Sequence, residues 1–383
     1  MARTVLILGA GIGGIVAAER LRRRLSKEHR IVLVDRERTH VFAPSLLWLM
    51  TGDRKADAIS RPLARVQRRG VDLITGEIES IDPTDRSAVV SGRTLRGDFL
   101  IIALGAELAP ESVPGLFEAG HNFYTLAGAE SLRTALESFS RGRLIVLTAS
   151  HPYRCPAAPY EAAMLIENSL RRRGLRERTD LRLFAAEPKP MGVAGPAVSA
   201  AVRAMIEAKS IGYFPDHVIR EADPEQRRLH FGNGVDADFD LLAYVPPHRV
   251  PRVVQQAAMA PEGGYVAVDK HTLETRWEHV YALGDVAGIP LRHGKPLPKA
   301  GVFAHGQAEV VADNIAHAID GKGRVARFEG HGACFVEVGG GRAGMGKGNF
   351  YADPAPDVRL RRPAWHWHMV KILFEQYWLR RWF

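Results

Sequence analysis

The chain has 383 residues, with 52 Lys or Arg against 43 Asp or Glu, a formal charge of +9. Hydrophobic and charged fractions of 46% and 25% are those of a globular protein and exclude disordered, collagenous and low-complexity classes. The only two cysteines, Cys155 and Cys334, are too few for a disulfide scaffold, a four-cysteine zinc site or a cysteine-ligated iron–sulfur cluster, and no metal site is expected; a single pair remains open.

The first predicted element is a buried strand, Thr4–Leu8, which stops at Gly9 and is too short for the apolar region of a signal peptide. No stretch approaches the roughly 18 apolar residues of a membrane span, so a cytoplasmic location is expected. Gly9-x-Gly11-x-x-Gly14 then opens a helix running to Leu25, and a second strand from Arg30 to Val34 ends at Asp35, 21 residues after Gly14. In this strand–loop–helix setting the motif predicts a dinucleotide site. Gly9 allows the tight turn, Gly11 admits a pyrophosphate to the backbone, and Gly14 lets helix and strand pack. Asp35 is placed to accept from a ribose hydroxyl, which favours FAD or NAD over NADP.

Further strands are predicted at Val71–Ile74, Phe99–Leu104, Arg143–Thr148, Leu181–Ala185, Leu241–Val245 and His279–Leu283, and helices at 125–139, 159–174, 195–209 and 301–319. The alternation predicts a doubly wound α/β protein with two Rossmann-like dinucleotide-binding-type domains. The first, for the cofactor, spans 1–106 and 241–320; the second spans 107–240; a C-terminal region occupies 321–383. The strand Arg143–Thr148 leads into Ala149-Ser-His-Pro-Tyr-Arg-Cys155-Pro-Ala-Ala-Pro-Tyr-Glu161, and no glycine lies between Gly142 and Gly174. A turn rich in proline and side chains cannot hold a second pyrophosphate against bare N–H groups, so one dinucleotide is expected and NADH is not the partner. The arginines at 20–24 and 171–178 lie on helices without interleaved aromatics, so no nucleic-acid partner is expected.

The tail is unusual. Trp365, Trp367, Trp378 and Trp382 are four of the six tryptophans, and Arg359–Phe383 carries six basic residues against Glu375 alone, five units of the +9. After Pro363 a helix would place Val370, Leu373, Phe374, Tyr377 and Trp378 on one face, with His368, Lys371, Glu375 and Arg380 elsewhere. Such a helix suits a lipid interface, or else packing on the body or on a second copy in a homo-oligomer.

Asp98-Phe-Leu-Ile-Ile-Ala-Leu-Gly105-Ala106 and Val280-Tyr-Ala-Leu-Gly284-Asp285-Val286 resemble the two further FAD signatures of the flavoproteins with two dinucleotide-binding domains. Cys155-Pro-Ala-Ala-Pro-Tyr-Glu161, Glu187-Pro-Lys-Pro-Met-Gly192, Val245-Pro-Pro-His248, Pro298-Lys-Ala-Gly301 and Ala333-Cys-Phe-Val-Glu337 resemble the sulfide:quinone oxidoreductases and the related flavoprotein of flavocytochrome c sulfide dehydrogenase. The resemblance covers nearly the whole chain in order. It implies an enzyme that oxidises sulfide to sulfane sulfur or polysulfide through a Cys155/Cys334 redox pair and passes electrons from FAD to a membrane quinone. By the same resemblance Asp285 holds the ribityl chain, the Ile78 backbone meets the adenine, and Lys299 lies by the flavin pyrimidine. Glu161, expected to head the helix beginning near Pro159, is a candidate proton acceptor, with His151 and His248 weaker candidates. Phe335 corresponds to a position at the quinone ring.

Two departures carry expectations. His121-Asn-Phe-Tyr-Thr125 stands where many relatives have a third cysteine, so long tethered polysulfur chains are not expected. No cysteine accompanies Phe42-Ala-Pro-Ser45, so FAD should be non-covalent. The location implied is the cytoplasmic face of a membrane, peripherally bound. The competing readings are a type II NADH:quinone dehydrogenase and a flavin-binding redox sensor.

Overall fold

The computed structural model describes all 383 residues. Two parallel five-stranded sheets form its frame. The first runs Val280–Ala282, Phe99–Ile102, Thr4–Leu8, Arg30–Asp35, Asp72–Thr75. Its central strand is apolar without alternation, and Val5 to Leu8 are fully buried, because helices or other strands cover both faces. The second sheet runs His121–Asn122, Leu241–Val245, Gly142–Thr148, Thr179–Phe184, Gly212–Phe214. Each unit carries a three-stranded antiparallel meander, Ile78–Asp82/Ser87–Val90/Arg93–Arg96 in the first and Ile219–Asp223/Arg228–Phe231/Asp236–Asp238 in the second.

The boundary expected at 240/241 is displaced. Leu241–Val245 is the second strand of the second sheet, paired with Gly142–Thr148 and buried throughout. A run apolar on both faces reads the same in either sheet, and only the pairing assigns it. The chain returns to the first unit after Pro246-Pro247, and its strand there is Val280–Ala282.

The C-terminal region folds as an antiparallel sheet, His331–Gly339, Arg342–Asn349 and Asp357–Ala364, followed by the helix Trp365–Arg381. This helix has the expected apolar face except at Trp378. Lys371, Glu375, Trp378 and Leu379 point into the body, while Trp365, Met369, Val370, Leu373, Phe374 and Tyr377 are exposed. Trp378 leaves the outward row. It stacks on His40 with centroids 4.9 Å apart and packs against Phe42 at 5.2 Å, anchoring the helix in the core of the first unit. No helix is long and apolar enough to cross a membrane.

Candidate active site

The glycine loop is built as its spacing requires. Gly9 has φ +101°, and a Cβ there would lie 2.5 Å from the Ala103 carbonyl oxygen; a Cβ on Gly14 would lie 1.8 Å from the Gly9 oxygen. Gly11 has no atom within 4 Å of its Cβ position, so the chain leaves open the side on which a pyrophosphate would rest. The helix Ile12–Arg24 begins there without a side-chain cap, its first N–H groups available to an anion. Asp35 ties the second strand to this loop: Oδ2 accepts the Ala10 N–H at 2.5 Å and Oδ1 the Glu37 N–H at 2.8 Å. Ile78 opens the meander of the first unit, half-buried.

Opposite the loop, Gly105 and Gly284 both have positive φ, +69° and +74°. The Gly284 N–H is held by Gln307 Oε1 at 2.7 Å, which aims Asp285. Lys299 is buried, donates from Nζ to the Asp285 carbonyl at 2.5 Å and lies 3.2 Å from the Tyr265 ring centroid. Desolvation lowers its ammonium to about 8, against the pull of Asp285; burial likewise raises Asp285, with Lys299 and Arg154 opposing. The open cradle at Gly11, the anion-seeking helix end and the Lys299 ammonium held on the Asp285 carbonyl suit a dinucleotide.

Cys155 is held on the same framework. Its N–H donates to the Lys299 carbonyl at 2.6 Å, its own carbonyl accepts the Ala158 N–H that starts helix Ala158–Arg172, and its φ is +55°, a left-handed conformation costly for a residue with a Cβ. Cys334 lies on strand His331–Gly339 opposite Gly346. The sheet therefore brings together two residues 179 positions apart. Cys334 Sγ donates to the Phe335 carbonyl at 3.3 Å. The neighbouring thiols shift one another: Cys334 lowers Cys155, which also gains from the helix start, and Cys155 raises Cys334, whose burial adds to the effect.

Beside them is a buried charge cluster that the sequence did not reveal. Glu161 lies in the first turn of its helix, as expected, at the fourth position, and is buried. Its Oε1 accepts the Glu337 N–H at 2.8 Å and the Lys371 ammonium at 3.0 Å. Lys371 also lies 3.9 Å from Glu337 Oε1 and 4.7 Å from the Trp48 ring centroid, and Glu337 meets His368 Nδ1 at 3.0 Å. Burial would lower the Lys371 ammonium, but Glu161 and Glu337 outweigh it and hold it above its ordinary value; burial raises Glu337, with Lys371 and His368 opposing. One turn on, Glu375 pairs with Arg54 at 2.9 Å and accepts from Ser45 Oγ at 2.7 Å. The only signal was Lys371 and Glu375 four apart in an otherwise aromatic and apolar stretch. Phe335 and Glu337 share one side of their strand, opposite to Cys334 and Val336.

The second unit has no open cradle. At its strand ends, Glu187 is buried and bonded by three hydroxyls: Thr148 at 3.1 Å, with Tyr153 and Tyr160. Of the weaker acid–base candidates, His248 is pushed down to about 3 by burial, Arg154 and Lys299, and is neutral near pH 7. His151 is lowered chiefly by burial and packs edge-on to Tyr153.

A fold of two dinucleotide-binding units with a thiol pair beside the cofactor cradle defines a class, and the model of the pyridine nucleotide-disulphide oxidoreductases matches residues 3–308. The chain belongs to that family and is an FAD-binding oxidoreductase. Within it, the resemblance is to the sulfide:quinone oxidoreductases. The sulfide-quinone reductase of Aquifex aeolicus is 27% identical over 399 residues, 99% of this chain and 91% of the relative. The mitochondrial sulfide:quinone oxidoreductase of Mus musculus is 24% identical over 364 residues, 91% and 79% of the two chains. The X-ray structure of the Aquifex aeolicus enzyme superposes with a TM-score of 0.90 at 25% identity, over 100% of this chain and 91% of that one.

Proposed function

We propose that this chain oxidises sulfide at Cys155 and Cys334 and delivers the electron pair through non-covalent FAD to a quinone. The observation that carries the reading is the meeting of the chain's only two cysteines, on the backbone that also positions Lys299. In the oxidised pair, hydrosulfide attacks one sulfur. The new S–S bond forms as the Cys155–Cys334 bond breaks, one cysteine becomes a persulfide, and the other leaves as a thiolate carrying the electron pair. The thiolate then closes on the outer persulfide sulfur with loss of its proton, leaving the two cysteines bridged by one sulfane sulfur; FAD, when bound, would take up the two electrons released and deliver them to quinone, and a second hydrosulfide would carry the bridging sulfur away and restore the Cys155–Cys334 bond. Gly9, Gly11, Gly14, Asp35, Ile78, Gly105, Gly284, Asp285 and Lys299 would hold the FAD, with the Lys299 cation favouring the reduced, anionic state.

Glu161 carries both of its bonds on Oε1, which leaves Oε2 free, and we assign to Oε2 the acceptance of the proton of incoming hydrosulfide. A quinone needs two protons with its two electrons. Phe335 offers it a ring, and Glu337, Lys371 and partly exposed His368 form a line of proton-holding groups from that side of the strand towards solvent. The outward apolar row of the C-terminal helix lies on the membrane that holds the quinone.

An NADH-linked reading finds no support at Glu187. The place where a nicotinamide ribose would meet a strand-end carboxylate is filled by the chain's own hydroxyls. The test is anaerobic flavin absorbance. Sulfide should bleach the FAD band, NADH should not, and Cys155→Ala or Cys334→Ala should abolish the sulfide response. Bleaching by NADH alone would refute the reading.

A further inference from the structure

Away from the cofactor and the cysteines, a depression of about 510 Å³ opens between helices Ile12–Arg24 and Gly301–Asp320 and the end of the C-terminal helix. Arg20, Arg23, Arg24 and Arg381 line it, and Phe374 and Tyr377, from the exposed apolar row, also border it. Its arginines are not matched by acids. Glu19 is shared by Arg23 at 3.1 Å, Arg69 at 3.0 Å and Arg381 at 4.0 Å, Asp313 by Arg20 and Arg24, and Glu309 serves Arg20. Counting Arg69, which shares Glu19 from outside the depression, five guanidinium groups face three carboxylates, an excess of two positive charges. Trp382, only 6% exposed, also lines the depression; its indole Nε1 is buried with no hydrogen-bond partner, and Arg381 stacks over its ring at 4.6 Å.

Forked cationic donors beside an unused buried N–H form a receptor for a tetrahedral oxyanion. Bordering aromatic side chains that continue into an exposed apolar row say what is attached to that anion. We propose that this depression holds the phosphate headgroup of an anionic phospholipid, with the acyl chains running along Leu373 and Phe374. The site orients the C-terminal helix on the bilayer as well as strengthening its attachment, since the headgroup is gripped at one end of the row only. The proposal rests on the membrane-surface reading of that helix.

The test uses the full-length FAD-loaded protein and sedimentation with vesicles of phosphatidylcholine, alone or mixed with phosphatidylglycerol. Wild type should favour the anionic vesicles by roughly tenfold, since each basic group at an anionic surface contributes about fivefold attraction and the excess of two here is partly neutralised. Arg23→Gln with Arg381→Gln should lose that preference while keeping the flavin spectrum. Arg93→Gln with Arg96→Gln, which removes equal charge on the meander of the first unit, should keep it. Binding to neither vesicle would overturn the membrane reading itself. Equal binding to both, or equal losses in the two double variants, would leave that reading standing and overturn the headgroup site. Millimolar inorganic phosphate should release no more protein from anionic vesicles than chloride of the same ionic strength; greater release would make this a free-phosphate site and overturn the lipid assignment.

Discussion

Replacing Lys371 by methionine removes the cation that makes the buried cluster tolerable. Its Nζ lies 3.0 Å from Glu161 and 3.9 Å from Glu337, with the three side chains 8%, 4% and 1% exposed. Methionine retains most of the stem, so the loss is electrostatic, and removing one partner of a buried ion pair costs about 3–5 kcal/mol. The cost depends on pH. Without the ammonium, the two desolvated carboxylates repel, and one holds a proton with a folded-state pKa raised above its unfolded value of about 4.3. A group raised in this way loses stability as pH climbs from the unfolded towards the folded value. Lys371→Met should therefore be more destabilised at pH 7 than at pH 5. The assay is urea unfolding of wild type, Lys371→Met, Glu161→Gln and the double variant, followed by tryptophan fluorescence at both pH values. Glu161→Gln relieves the repulsion, so the double variant should recover about 2–3 kcal/mol relative to additivity at pH 7. Single variants that each cost less than about 1 kcal/mol, and add, would show the cluster behaving as an exposed pair and refute the reasoning.

Gly11→Ala should leave apoprotein stability within about 0.5 kcal/mol, because its Cβ meets nothing, yet weaken FAD binding about tenfold or more in a fluorescence titration; Gly14→Ala should instead destabilise the fold. His40, lowered to about 4 by burial, binds fewer protons in the folded than in the unfolded chain between pH 4 and 6.5, so stability is lost as pH falls through that window. Thermal melts of His40→Gln should show that part of the acid sensitivity removed. Tyr160→Phe takes one of three hydroxyls from Glu187 and should cost about 1–3 kcal/mol in chemical denaturation, without conferring NADH oxidation.

Much of the frame was legible because its signals are local. The glycine loop of residues 9–14, with Asp35 at the next strand end, needs only spacing and backbone sterics. The helices expected at 125–139, 159–174, 195–209 and 301–319 appear at Leu126–Ser138, Ala158–Arg172, Pro196–Glu207 and Gly301–Asp320, since each carries its own apolar period and a terminal Gly, Pro or Thr. The antiparallel C-terminal sheet was not foreseen. Gly344, Gly346 and Gly348 interrupt its middle strand, leaving no apolar alternation to read, although a Cβ at Gly348 would lie 2.1 Å from the Asp357 oxygen across the ladder.

By itself the sequence determined the class of chemistry: one dinucleotide cradle, no second glycine loop, and two cysteines without a scaffold role. Each of these follows from which residues neighbour one another along the chain. Only the tertiary structure decided which groups share a site, because that depends on pairings across large sequence separations. It placed Leu241–Val245 in the second sheet, brought Cys334 to Cys155 across 179 positions, and turned Lys371 and Glu375 inward. A helical wheel shows that a helix has two faces but not which one the body takes. Here two buried carboxylates on the body, Glu161 and Glu337, and the half-buried Arg54 were satisfied by turning the charged face inward, and the apolar face was left outside.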